Sequence, residues 1–171
     1  MSEVKEYDLP GVKTYDLIML PDERGFLFEA LREDWSELLE GDKVAQANIS
    51  YGYPGIIRAW HRHVRGQVDY FLVLQGAMKI CAYDDRENLP TTKEKLVEIM
   101  ASSQKPQLVR VPGIYWHGTK TVSNEPSFTV YFATKLYDCE NPDEEHRPWN
   151  GSTVVDPKTG NPFDWNKPPY K

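Results

Sequence analysis

What most constrains this chain is its punctuation. Short runs rich in β-branched and aromatic residues are broken repeatedly by turns built on its 13 prolines and 11 glycines. VKTYDLIML (12–20) leads through the turn PDERG into FLFEA (26–30), a strand–turn–strand pattern. KVAQANIS (43–50) leads through YGYPG into IIRAWHRH (56–63), and DYFLVLQ (69–75) precedes AMKICAY (77–83) across one glycine. QLVRVP (107–112) and SFTVYFA (127–133) follow. TTKEKLVEIMA fits a short helix or a loop entering another strand, and periodicity does not separate the two. The segment REDWSELLEG predicts the one clear helix, with Asp34 as cap, Trp35, Leu38 and Leu39 on one face and Gly41 at its end. About eight strands and one or two short helices predict an all-β antiparallel sandwich or barrel.

The 171 residues suit a single domain, with a barrel core at 11–134 and an irregular segment at 135–171 laid over it. That last segment holds six of the prolines, yet it carries Tyr137, Trp149, Phe163, Trp165 and Tyr170, too many aromatics for a disordered tail. With 26 acidic against 20 basic residues the chain carries −6, which argues against a general nucleic-acid binder and leaves room for a local arginine pocket. No apolar stretch approaches a membrane span, and MSEVKEYDLP has no signal-peptide core. The two cysteines, Cys81 and Cys139, make neither a disulfide framework nor a zinc spacing, so a reducing cytoplasm is expected.

The chemically loaded stretch is GIIRAWHRHVRGQVDYFLVLQG (55–76). Simple alternation places Ile57, Ala59, His61 and His63 on one face and Ile56, Arg58, Trp60 and Arg62 on the other. A third histidine, His117, ends the turn sequence VPGIYWHG. Gly55, His61 and His63, then Pro112 and His117, are similar to the two cupin motifs, which implies a double-stranded β-helix, or jelly roll, with the site at its mouth.

Longer matches resemble a narrower family, the nucleotide-sugar epimerases typified by dTDP-4-dehydrorhamnose 3,5-epimerase. They comprise Asp22 to Glu29 (DERGFLFE), Gln46-Ala47-Asn48-Ile49-Ser50, Ile56 to His61, Pro112 to Thr119, and Tyr131, Thr134 and Tyr137, with Glu145 through Asn150 closing the series. The resemblance implies proton abstraction next to the C4 ketone of a nucleotide-diphospho-4-keto-6-deoxy sugar, through an enolate, with no cofactor. That chemistry needs a base, an acid on the far side, and a group that stabilises an oxyanion. By the resemblance His61 is the base and Tyr131 the acid. Arg24, with Arg58 or Arg65, serves the diphosphate, while Glu29, Gln46 and Asn48 lie near the nucleoside. Phe26 or Phe28 is placed to stack on a base, and His117 to donate to the sugar.

Departures from the family stand at the centre of the site. Where the family has a lysine beside the enolate oxygen, this chain has Asp69, and His63 replaces a glutamine. The family's base-orienting carboxylate near the C-terminus has no obvious counterpart, and Asp69 or Asp164 is the candidate substitute. The same residues permit two other readings. One is a metal cupin using His61, His63, His117 and Asp69 or Gln67; the other is a non-catalytic sugar-nucleotide-binding cupin. A homodimer is expected, with VKTYDLIML pairing across the subunit boundary.

Overall fold

The computed structural model describes residues 3–86 and 95–167. Its thirteen strands are β1 (Val4–Glu6), β2 (Lys13–Asp16), β3 (Leu20–Asp22), β4 (Gly25–Leu27), β5 (Gln46–Gly52), β6 (Ile57–Arg62), β7 (Val68–Gln75), β8 (Ala77–Tyr83), β9 (Leu96–Ser102), β10 (Gln107–Pro112), β11 (Trp116–Thr121), β12 (Ser127–Ala133) and β13 (Glu145–His146), with one helix, α1 (Ser36–Leu39), among the described residues. Six strands form a sheet in the order β1-β2-β10-β7-β12-β5, and five form a second in the order β13-β6-β11-β8-β9. β3 and β4 make a separate hairpin. All pairings are antiparallel, and neighbours in each sheet are mostly distant in sequence, as in the jelly roll expected.

Period-two patterning explains three apolar layers. Phe71, Val73, Val109 and Val111 from the larger sheet meet Met78, Ile80, Ala82, Val97, Ile99 and Ala101 from the smaller one. On the opposite face of β8, Cys81 and Tyr83 turn outward to Trp60, Trp116, Phe163 and Trp165. The C-terminal segment therefore seals the outside of the five-stranded sheet, with Trp165 tilted 4.8 Å from Trp60. The outer face of the six-stranded sheet buries Tyr70, Leu72 and Leu108 beneath Leu17, Leu38 and Leu39. β7 is thus covered on both faces, which is why DYFLVLQ reads as an almost unbroken apolar run.

One open alternative is decided and three expectations need correction. TTKEKLVEIMA ends in β9, and its residues 91–94 lie outside the described ones. The helix is one turn long, and Trp35 holds the cap position without a side-chain bond. Asp34 does not cap it because Arg32 binds both carboxylate oxygens, at 2.8 and 2.7 Å. Glu40, at φ 52°, ends the helix one residue before Gly41; its carboxylate meets Lys13 at 2.7 Å and Arg110 at 3.0 Å, offsetting the left-handed conformation. Finally, β2 is bonded on both sides within its own chain, to β1 and β10, so it is not a free dimer edge. β5 is the open edge beside the cavity.

Candidate active site

A cavity of about 860 Å³ opens between the sheets. β12 contributes Thr129, Tyr131 and Ala133 at alternating positions, and the adjoining β5 contributes Gln46, Asn48 and Ser50. Gln46 Nε2 donates to Asn48 Oδ1 at 2.7 Å, and Gln46 Oε1 accepts the Tyr137 N–H at 2.9 Å, which holds both amides in place. Tyr131 stacks on Phe71 at 5.8 Å. Its half-buried phenol has a pKa raised by burial first and then by the Asp69 and Glu144 charges, so it carries its proton at neutral pH.

The opposite wall is β6, and here alternation fails for a visible reason. His61 faces His117 and Arg58 faces Thr119, so β6 takes three steps while β11 takes two. The extra residue is a bulge that turns Arg58 and His61 toward the same cavity, while Trp60 stays in the core. Gly118 permits it: a Cβ there would stand 2.3 Å from that of Ala59. His117 lies within β11, not at the end of a turn.

His61, His63 and Asp69 line the cavity; His117, expected to donate to the sugar, is instead fully buried behind them, and the four place one potential ligand atom each within 4.8 Å of one another. His63 lies just past β6 and is held by the Pro112-Gly113 turn, where Gly113 has no room for a side chain against His63 and the Gln67 carbonyl. Its Nδ1–H donates to the Asp143 carbonyl, and the Nδ1–H of His117 donates to the Tyr115 carbonyl at 2.9 Å. Asp69 Oδ2 stands 3.3 Å from His63 Nε2 and 3.4 Å from His117 Nε2. Asp69 therefore orients His63 and His117 rather than His61. Gln67 Nε2 lies 3.0 Å from Asp69 Oδ1 and 3.1 Å from His63 Nε2. Burial opposes ionisation of Asp69, yet the two imidazoles hold its carboxyl well below the usual range. Burial first, then the neighbouring imidazoles, push His61 down to about 2, so the ring is neutral at pH 7.

Basic groups gather toward the mouth: Arg58, Arg65 and Lys135 line the cavity. Among the described residues Arg58 makes one long 3.4 Å bond, to the Tyr51 carbonyl, while Arg65 is held by the Asn141 carbonyl at 2.6 Å. Sequence reasoning missed Lys135 and Asp143. The latter accepts the N–H groups of Val64 and Arg65 at 3.0 Å each, shaping the loop that carries His63. Their signal was faint, because both fall in the proline-rich stretch read only as covering. Arg24 and Glu29 do not line the cavity of their own chain. Arg24 sits exposed on the β3–β4 hairpin, paired with Asp22, and Glu29 binds Arg32 at 2.6 Å. Phe26 and Phe28 stack on each other at 5.9 Å.

Comparison with known proteins gives consistent matches. The model of a family described as dTDP-4-dehydrorhamnose 3,5-epimerase matches residues 6–154. A probable low-salt glycan biosynthesis epimerase, Agl13, of Haloferax volcanii is 39% identical over 159 residues, spanning 93% of this chain and 96% of the relative. The spore coat polysaccharide biosynthesis protein SpsL of Bacillus subtilis is 34% identical over 92% of this chain and 97% of its own. Among solved structures, the Legionella pneumophila dTDP-6-deoxy-D-glucose-3,5-epimerase in complex with dTDP-4-keto-L-rhamnose superposes with a TM-score of 0.75 at 25% identity, covering 85% of this chain and 77% of that one.

Proposed function

The chain belongs to the dTDP-4-dehydrorhamnose 3,5-epimerase family of isomerases, and from that premise we propose that its cavity binds a nucleotide-diphospho-4-keto-6-deoxy sugar between His61 and Tyr131. The observation that carries the proposal is their placement on facing walls, His61 on β6 of one sheet and Tyr131 on β12 of the other. His61 removes a proton from a carbon beside the C4 ketone, and the C–H electron pair moves through the new C=C bond onto the carbonyl oxygen. Tyr131 returns a proton to that carbon from the other side as the ketone re-forms, inverting the centre; His61 then releases its proton to solvent and Tyr131 takes one up. The names of the relatives place such a reaction in polysaccharide biosynthesis.

Arg58, Arg65 and Lys135 supply the positive charge a diphosphate needs in a chain of net charge −6. We assign the protein to the cytoplasm, in keeping with two unpaired cysteines, one buried and one exposed. Among the described residues no helix is long and apolar enough to cross a membrane. We also propose a homodimer. The β3–β4 hairpin exposes Leu20, Phe26 and Leu27, and the open edge strand β5 exposes Ile49 and Tyr51. Apolar surface beside an unpaired edge favours burial by a second copy. Arg24 then reaches the diphosphate in the partner's cavity.

The test is solvent exchange into dTDP-, GDP-, UDP- and CDP-4-keto-6-deoxy sugars in deuterated water. The wild type should introduce label beside the ketone, and His61→Asn should lower exchange by roughly 10²–10⁴-fold. Tyr131→Phe should block inversion and retain some exchange, since His61 still removes and returns a proton on its own side. No label with any of these sugars, from folded wild-type protein, would sink the proposal.

A further inference from the structure

The cavity floor contains an unsolved problem of charge. His63 and His117 each spend Nδ1–H on a backbone carbonyl, which leaves both Nε2 atoms pointing toward one carboxylate oxygen, Asp69 Oδ2. His117 is completely buried, and its Nε2 has no hydrogen-bond partner although Oδ2 is 3.4 Å away. Gln67 Nε2, at 3.1 Å, serves His63 Nε2, whereas the buried His117 Nε2 is left with Oδ2 alone. One cation at the centre satisfies all three.

The spacing agrees with that solution. A tetrahedral ion with bonds of about 2.0–2.1 Å holds its ligands about 3.3–3.4 Å apart, and the two nitrogen-to-Oδ2 separations are 3.3 and 3.4 Å. Backbone carbonyls on the far ring nitrogens are the usual outer partners of metal-bound histidines, fixing the tautomer that presents the lone pair. Gln67 grips the other carboxylate oxygen at 3.0 Å and so selects Oδ2 as the free one. Among the described residues this is the one cluster of its kind.

We propose that His63, Asp69 and His117 bind a single divalent transition-metal ion, zinc by its donor set, with the fourth position open to the cavity. His61 remains outside the three ligands as the proton acceptor. The role of the ion rests on the epimerase reading above, whereas its binding does not. One ion beside one carboxylate leaves a net positive charge where the family resemblance has its lysine, and a cation there stabilises the developing enolate oxygen. The substitution of Asp69 for that lysine thereby exchanges an ammonium for a metal ligand.

The experiment is cobalt and zinc titration of chelator-treated full-length protein, read by elemental analysis and by the visible spectrum of bound Co²⁺. The expected result is one equivalent per chain with the intense bands of tetrahedral cobalt. Asp69→Asn, close to isosteric, should weaken binding by about 100-fold or more, beyond the range seen for outer partners alone, and His61→Asn should leave it intact. The wild-type cobalt spectrum requires no variant, so a misfolded mutant does not obscure the answer. Folded wild-type protein that takes up no cobalt, or Asp69→Asn that binds it unchanged, overturns the site. Loss of the ion in His61→Asn overturns the assignment of His61 as a free base. Full proton exchange by metal-free protein removes the ion and leaves the epimerase standing; stoichiometric metal with no exchange does the reverse.

Discussion

At the scale of single residues, Arg58 and Arg62 make the sharpest contrast. Alternation along IIRAWHRH gives both arginines one face, opposite His61. In the structure the bulge separates them: Arg58 lines the cavity, while Arg62 bonds Glu145 at 2.6 Å and lies over the Trp116 ring at 4.5 Å. Arg58→Ala should therefore weaken dTDP binding by roughly 1.5–3 kcal/mol, the range for a charged hydrogen-bond partner, whereas Arg62→Ala should leave affinity unchanged. Isothermal titration of the two variants decides it, and equal losses would place both side chains on one face and remove the bulge from the account. Placement was legible where it depended on clean periodicity, as for the Thr129–Tyr131–Ala133 face that lines the cavity. It was not legible for Asp69, whose partners come from beyond β6 and from β11, across gaps that no local pattern spans.

At the scale of elements, the bulge depends on Gly118, because β11 must approach Ala59 closely enough that any side chain collides. Gly118→Ala adds one methyl group where the Ala59 Cα and the Arg58 carbonyl of β6 stand 2.8 and 2.9 Å away, and overpacking of this kind costs about 1–3 kcal/mol. The folded fraction should also lose more activity than stability, since the displaced strands carry Arg58, His61 and His117. Urea denaturation and solvent exchange measured on the same preparation test this; full activity with unchanged stability would show that β6 and β11 can separate freely. Strands with clean alternation or both faces buried, such as β8, β10 and β12, stood out in the sequence with their observed bounds. β11 did not, because WHGTKT lacks an apolar period and its strand character comes from being clamped between β6 and β8. The helix was overread for a related reason: Arg32 captured the carboxylate that was to cap it.

At the scale of the whole molecule, the site built by one chain leaves Arg24 unexplained. The family resemblance assigns it to the diphosphate, yet it projects from an exposed hairpin that does not line its own cavity. The proposed homodimer, with each hairpin crossing to the partner, would reconcile the two and would cover the exposed Phe26 and Leu27. That geometry can be tested by complementation between two defective chains. A His61→Asn protomer has a dead cavity but an intact hairpin; an Arg24→Ala protomer has an intact cavity and a defective hairpin. If hairpins cross, every mixed dimer holds one cavity with both His61 and Arg24, and random pairing of the two variants in equal amounts should restore about a quarter of wild-type activity. If Arg24 acts within its own chain, no mixed dimer contains a complete site and co-expression restores nothing beyond the residual activity of Arg24→Ala. Light scattering of the same samples supplies the other limit, since a monomer at micromolar concentration removes the crossing altogether and leaves the cavity served by Arg58, Arg65 and Lys135 alone.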